Sequence, residues 1–221
     1  TILVGVDLSD KDLTGTILTG ADLSNANLTG VDLSGKDLTG TILVGVDLSD
    51  KDLTGTILVG VDLSGKDLTG TALIGSDLSN SNLSNANLSG TALIGADLSN
   101  AILTGADLTG TVLVNVDLTG TILTDVDLSR TILRGADLTD TNLAGVDLSG
   151  KDLSRTTLVR TDLSHSNLTN AYLYRTILIG ADLTGTILTG ADLSHSNLTD
   201  VDLSGRDLTG TILKGMDLSN K

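Results

Sequence analysis

Leucine occupies every fifth position of this chain, from Leu3 to Leu218, in 44 successive units without an insertion or a deletion. A period of five matches neither the 3.6-residue period of an α-helix nor the two-residue period of an extended strand. The chain must therefore turn once in each unit. A regular repeat of this kind predicts a structure in which neighbouring units stack and share one core.

The residues around each leucine predict where the unit turns and which side chains face inward. We number the positions of a unit 1 to 5, so that leucine stands at position 3. Position 5 is Gly in 26 units, Asn or Asp in 12 and Arg or His in six, and Gly, Asn and Asp tolerate positive φ. Position 1 is mostly Thr, Ala, Val or Ser and is predicted to point inward. Positions 2 and 4, mostly Asp and Ser or Thr, are predicted to face solvent by alternation.

Units such as ADLSN and ANLTG, at residues 21–30, resemble the pentapeptide-repeat family, whose unit is a small residue, Asp or Asn, Leu or Phe, and two variable residues. The resemblance covers the whole chain. It implies an all-β fold, a right-handed quadrilateral β-helix (β-solenoid) with 44 pentapeptides in about 11 coils and no α-helix. Residues 1–221 are predicted to form a single solenoid, and because the repeat is cut at both ends we expect an excerpt of a longer chain or filament.

Six units carry a cation at the inward position 1. An unpaired charge in the interior would be costly. We therefore expect these side chains to leave at the corners, with packed stems and head groups in water; a buried role is the alternative. The residues are Lys11, Lys36, Lys51, Lys66, Lys151 and Arg206.

The composition argues against several classes of protein. The chain has 13 Lys and Arg against 28 acidic residues, all of them Asp, and a net charge of -15, which argues against binding to nucleic acid or to an anionic membrane. It contains no Cys, so disulfides and thiolate metal sites are excluded. No apolar run is long enough for membrane insertion, and no secretion signal is visible.

No group of residues predicts catalysis or a cofactor, because a convex rod offers no concave site where reactive groups converge. His165 and His195 stand alone at turn positions and are predicted to be solvated. The chain is therefore predicted not to be an enzyme. Stacked carboxylates could hold a hard cation such as Ca²⁺, but we prefer a hydrated, mutually repelling stripe and predict no metal site. The stacked residues are Asp77, Asp97, Asp117 and Asp137.

One face is predicted to differ from the others when the units are wrapped at four per coil. Its outward residues form an apolar strip across four coils, and contiguous exposed apolar surface indicates contact with a partner. The alternative is that β-branched residues merely suit exposed strand positions. The apolar strip consists of Ala72, Ile74, Ala92, Ile94, Val112, Val114 and Ile132.

Further along the same face lies a Tyr/Arg cluster. Tyr and Arg dominate the energetics of many interfaces, so a partner site is predicted here. The alternative is that Arg and His simply replace Gly at turns. The Tyr/Arg cluster consists of Arg155, Tyr172, Tyr174, Arg175 and His195.

Together these features predict a non-enzymatic structural or interaction rod, such as a segment of a fibre, tether or filament, with an acidic surface and one apolar face. The predicted partner is a protein or a second copy, met end to end or laterally. The family resemblance also offers a DNA mimic that interacts with DNA gyrase. This sequence, however, shows neither the dimerising C-terminal helix nor the central Phe of those relatives. A calcium-binding rod is a third hypothesis.

Overall fold

The computed structural model describes residues 1–216. The regular backbone pairing in this range consists of isolated parallel β-bridges, with no continuous strand and no helix. Each bridge joins position 2 of one unit to position 2 of the unit 20 residues later, as in Ile2 with Asp22 and Asp22 with Ile42. Four units therefore complete one coil, and the chain winds as a four-sided β-helix. Within the same range no helix could cross a membrane.

Position 5 carries the turn of each unit. Glycines there have positive φ, and so do residues with side chains, among them Asn85 (φ 57°) and Arg155 (φ 62°). Nearly every turn is closed by a hydrogen bond from the N–H of position 1 to the preceding leucine carbonyl, as from Ala86 to Leu83 at 3.0 Å. Arg130 is the exception among the described units, because its φ is not positive.

The core is a continuous column of leucines with small residues of position 1 beside them. Burying one leucine stabilises the fold by about 1.5 to 3 kcal/mol, whereas ordering five backbone residues costs on the order of 5 to 10 kcal/mol. A single unit therefore cannot fold alone. Stacking adds inter-coil hydrogen bonds and places inward hydroxyls against main-chain carbonyls, as Thr71 Oγ1 donates to Leu48 O of the previous coil at 2.9 Å.

Aspartate at position 2 stabilises the unit that contains it. Asp22 Oδ1 accepts hydrogen bonds from the backbone N–H of Ser24 at 3.0 Å and from its hydroxyl at 2.6 Å. These bonds favour the charged carboxylate, so the Ser24 hydroxyl, and then its N–H, hold the pKa of Asp22 below its ordinary value. The same local turn recurs along the rod, for instance at Asp62 with Ser64.

The inward cations interrupt the ladder of β-bridges. At Lys51, the expected bridges between Asn27 and Asp47 and between Asp32 and Asp52 are both absent. The corresponding two bridges to the previous coil are also absent, within residues 1–216, at each of the other inward cations that has a described coil before it: Lys36, Lys66, Lys151 and Arg206. Each of these side chains therefore marks a local opening between two coils.

The head groups of these lysines lie in the openings. Lys36 Nζ donates to Leu13 O at 2.7 Å, and Lys51 Nζ donates to Leu28 O at 3.0 Å. Lys66 Nζ likewise donates to Val46 O at 3.0 Å. The prediction of a head group in water is wrong for Lys151, which is buried, whereas Lys36, Lys51 and Lys66 are half-buried and Lys11 is exposed. A lysine is too long for the inward position, so it passes between the coils and binds main-chain carbonyls there.

Lys151 makes the largest set of such contacts. The residue is buried, and its Nζ donates to the carbonyls of Leu128, Ser129 and Thr131 at 2.6, 2.8 and 2.8 Å. Burial lowers the pKa of its ammonium group. A surface cleft of about 680 Å³ lies beside this opening, between residues 120–126 and 140–146. The separation of the coils therefore extends to the neighbouring face, where no bridge joins Ile122 to Asn142 within residues 1–216.

Candidate partner-binding face

The structure brings the residues of the apolar strip together on consecutive coils. Bridges join Ala72 to Ala92, Ala92 to Val112, and Val112 to Ile132. Three isoleucines protrude furthest, with exposed fractions of 40% for Ile74, 39% for Ile94 and 50% for Ile132, and the other strip residues are half-buried. The strip is therefore one continuous apolar surface.

The strip ends at the opening made by Lys151. No bridge joins Ile132 to Asp152, although both residues lie within the described chain. A cleft of about 460 Å³ lies at this junction, lined by Val114, Ile132, Arg134, Asp152 and Arg155 among others. The single face expected from the sequence is thus divided into two parts, the apolar strip before the opening and the Tyr/Arg cluster after it.

The Tyr/Arg cluster is held by one ring contact between adjacent coils and one within a coil. The Tyr174 and His195 rings meet edge to face, with centroids 5.7 Å apart, and the Arg175 guanidinium lies 5.2 Å from the centre of the Tyr174 ring. Both contacts are favourable for aromatic groups. Tyr172 is 56% exposed and is bridged to Asp152 and to an aspartate of the next coil.

The cluster has unpaired positive charge. Within residues 1–216, no carboxylate lies within 4.0 Å of the charged groups of Arg155 or Arg175. Arg160, in contrast, forms an ion pair with Asp140 of the previous coil, with Nε to Oδ1 at 2.7 Å. Sequence reasoning missed Arg134, which stands at an outward position between the strip and the cluster. Its signal is a charged residue at a position where most other units carry Ser, Thr or an aliphatic residue.

The four stacked aspartates are bridged in order, Asp77 to Asp97, Asp97 to Asp117, and Asp117 to Asp137. One carboxylate oxygen of each accepts the N–H two residues later, as Asp97 Oδ1 does from Ser99 at 2.8 Å. The described residues contain no group of three or more His or Asp side chains that could hold a metal ion. We call this row the aspartate column.

The profile of pentapeptide repeats matches the sequence in eight copies, over residues 3–35, 37–70, 67–100, 101–140, 136–173, 166–205 and 176–215. No curated protein matches the chain. Among solved structures, full-length QnrB1, a plasmid-mediated fluoroquinolone resistance protein, is 20% identical over 97% of this chain and 92% of its own, with a TM-score of 0.67.

Two further solved structures are similar. A trypsin-treated form of QnrB1 is 22% identical, over 76% of this chain and 85% of its own, with a TM-score of 0.70. HetL, a pentapeptide-repeat protein from the cyanobacterium Nostoc sp. strain PCC 7120 involved in heterocyst differentiation regulation, is 35% identical over 91% and 89%, with a TM-score of 0.42. Because the repeat profile matches along nearly the whole chain and the winding is four-sided, this chain belongs to the pentapeptide-repeat family and folds as its right-handed quadrilateral β-helix.

Proposed function

We propose that this chain is a non-enzymatic rod that contacts proteins side to side through the apolar strip, with the Tyr/Arg cluster as a second contact. One observation carries the proposal: seven of the eight outward positions of this face, on four consecutive coils, are apolar and exposed or half-buried. The eighth is Arg134. Contiguous apolar surface of this kind is typical of a binding site on a soluble protein.

The arrangement of the other exposed isoleucines supports an interface over a simple strand preference. On other faces they stand alone or in pairs: Ile42 is bridged to Asp22, and Ile102 to Ile122. If β-propensity alone placed these residues, we would expect no concentration on one face. The strip extends over four coils without a polar residue at position 2, which favours selection for contact.

Sedimentation and negative-stain microscopy over a range of concentrations test the proposal, with self-association as the first form of contact examined. A variant with Ile74, Ile94, Val114 and Ile132 changed to Ser is compared with a control in which Ile42, Ile102, Ile122 and Ile187 are changed to Ser. We expect wild type and control to associate to the same extent and the strip variant to associate more weakly. Single short rods for all three proteins would contradict lateral self-association through the strip.

A DNA mimic that interacts with gyrase is the second candidate. Its support is the net charge of -15, carried by aspartates at outward positions, on a fold similar to that of a fluoroquinolone resistance protein. An acidic rod can present regularly spaced carboxylates where duplex DNA presents phosphates. The test is inhibition of DNA supercoiling by purified gyrase: loss of inhibition at high salt would support the mimic, and no inhibition at any concentration would reject it.

The calcium-binding rod makes a separate prediction. If the aspartate column held Ca²⁺, the melting temperature would rise with calcium and not with an equal ionic strength of sodium. We expect no calcium-specific rise, because each carboxylate already accepts a local N–H and no cluster of ligands surrounds it in the described part of the chain.

A further inference from the structure

A column of carboxylates and a column of two arginines and one histidine follow each other along this rod, and within residues 1–216 neither forms an ion pair. The first is the aspartate column, which ends at Asp137. The second begins one coil later at the adjoining corner and consists of Arg155, Arg175 and His195, each at position 5 of its unit. We call the second row the basic column.

The face that carries the aspartate column continues as a neutral surface beside the basic column. Bridges join Asp137 to Thr157, Thr157 to Ile177, and Ile177 to Asn197. No inward cation opens the ladder of this face between Asp77 and Asn197. One flat surface therefore has an acidic half, followed by a neutral half edged by cations.

We propose that a second copy of this chain covers this surface in an antiparallel, two-fold arrangement. With the axis between the coils of Asp137 and Thr157, Asp137 lies at the level of the second copy's Arg155. Asp117 then meets Arg175, and Asp97 meets His195. Each pairing occurs twice, so the acidic half of one copy faces the neutral, cation-edged half of the other.

Three properties of the surface favour a second copy over an unrelated acidic partner. Neighbouring side chains of each column are one coil apart, about 4.8 Å, and only a rod with the same rise keeps such charges in register over several coils. A two-fold interface uses one patch on both copies, and the patch described here is self-complementary. Finally, Thr157, Ile177 and Asn197 stand opposite Asp137, Asp117 and Asp97, so these three aspartates meet no aspartate.

This inference deepens the proposed role as an interaction rod and rests on it, but it uses a different surface from the apolar strip. The two surfaces can therefore be tested independently. The strip variant with four serines retains both charged columns, and charge variants of the columns retain the whole strip.

The first test is a charge exchange at one predicted pair. We compare Asp117→Arg, Arg175→Asp and the double variant by sedimentation equilibrium at low salt. Because the two-fold axis repeats the pair, each single change affects two contacts, and we expect dimer dissociation constants to rise about tenfold or more. The double variant restores opposite charges and is expected to recover the wild-type constant. Melting curves of all three proteins show whether each remains folded.

The second test determines the orientation of the two copies, using the absence of cysteine from the natural sequence. A Thr119→Cys chain is mixed with an Ile179→Cys chain under mild oxidation. These positions face each other in the antiparallel dimer, so a mixed disulfide is expected. Two Thr119→Cys chains would hold their sulfurs about 14 Å apart along the axis, which is too far for a bond, and they serve as the control.

Each outcome separates the inference from the proposed function. A wild-type chain that stays monomeric, a double variant that does not recover, or equal crosslinking in mixture and control would overturn the antiparallel dimer. If dimers form but are lost only in the strip variant, the interaction rod stands and the charged columns are not its contact. If dimers survive in the strip variant and are lost in the single charge variants, the inference stands and the strip is not the self-association surface.

Discussion

Replacing Lys51 with Thr is expected to close one of the openings in the β-ladder and to stabilise the rod. Threonine fits this position in other coils, where its hydroxyl takes an equivalent acceptor: Thr71 Oγ1 donates to Leu48 O at 2.9 Å, 23 residues earlier. Lys51 Nζ binds Leu28 O, also 23 residues earlier. The substitution therefore keeps a donor for this carbonyl while removing the long stem that separates the coils.

The magnitude follows from the hydrogen bonds that the opening removes. An uninterrupted corner has inter-coil bonds such as Leu88 N to Asp107 O at 2.8 Å and Asp107 N to Ala86 O at 2.9 Å. Five bonds of this kind are missing around Lys51: two between each pair of position 2 residues, and one from Gly30 N to Ser49 O. These five bonds contribute about 0.5 to 1.5 kcal/mol each, and the lost charged bond costs about 1.5 to 3 kcal/mol, so the net gain is centred on about 3 kcal/mol within a range of about -0.5 to 6 kcal/mol.

Thermal unfolding and amide hydrogen exchange measure this effect. A gain of 1 kcal/mol corresponds to a rise of about 2 to 4 °C in melting temperature for a chain of this size, and the amides of Leu28 and Leu33 should become protected. Lys11→Thr is the control, since Lys11 is exposed and no change is expected. If Lys51→Thr lowers the melting temperature, or leaves both amides unprotected, the lysine is not the cause of the opening.

Three further perturbations have expected outcomes. Ser81→Ala should raise stability by about 1 kcal/mol, because the Ser81 hydroxyl is buried without a hydrogen-bond partner. Ser76→Ala should lower stability, because it removes a hydrogen bond to Leu73 O at 2.8 Å. Equal changes in the urea midpoints of the two variants would contradict this reasoning. Leu103→Ala should cost about 2 to 5 kcal/mol in the same assay, because Leu103 is fully buried; a loss below 1 kcal/mol would indicate a loosely packed core. Acid should destabilise the rod. Hydroxyl and N–H donors lower the pKa of Asp22 and Asp62 in the folded state. The stabilisation from these two carboxylates is therefore complete above the pKa of the unfolded chain, about 3.9, and is lost as pH falls through the folded pKa. Melting temperatures that do not fall below about pH 4 would show that these bonds contribute little.

The turns and the inward leucines could be predicted from the sequence because their chemistry is local. Gly, Asn and Asp tolerate positive φ, and their recurrence at position 5 places the turn there. The positive φ of Asn85 confirms this prediction. The alignment of Ala72 with Ala92 required one more fact, the number of units per coil, which came from the resemblance to the family. With four units per coil, residues 20 apart in the sequence are predicted to stack on every face.

The path of each inward lysine could not be predicted in this way. Lys51 and Lys151 occupy the same position of the unit, yet only Lys151 is fully enclosed by three carbonyls. Burial of the ammonium group costs desolvation, and hydrogen bonds to main-chain carbonyls offset this cost only if two coils separate. Which of the two effects is larger depends on the packing of neighbouring coils, so it cannot be predicted from the residues of one unit. The role of Asp22 was also missed, although its signal, Asp-Leu-Ser, is in the printed sequence.

Hydroxyl-radical footprinting of the wild-type chain tests the interaction surface most directly, because exposed side chains on other faces serve as internal controls. Oxidation rates are compared between dilute and concentrated samples. The proposed contact predicts protection of Ile74, Ile94 and Ile132 at high concentration, with unchanged rates at Ile102 and Ile122, which are exposed to a similar extent on another face. Equal rates for the strip isoleucines at every concentration, or protection spread evenly over all faces, would contradict the account.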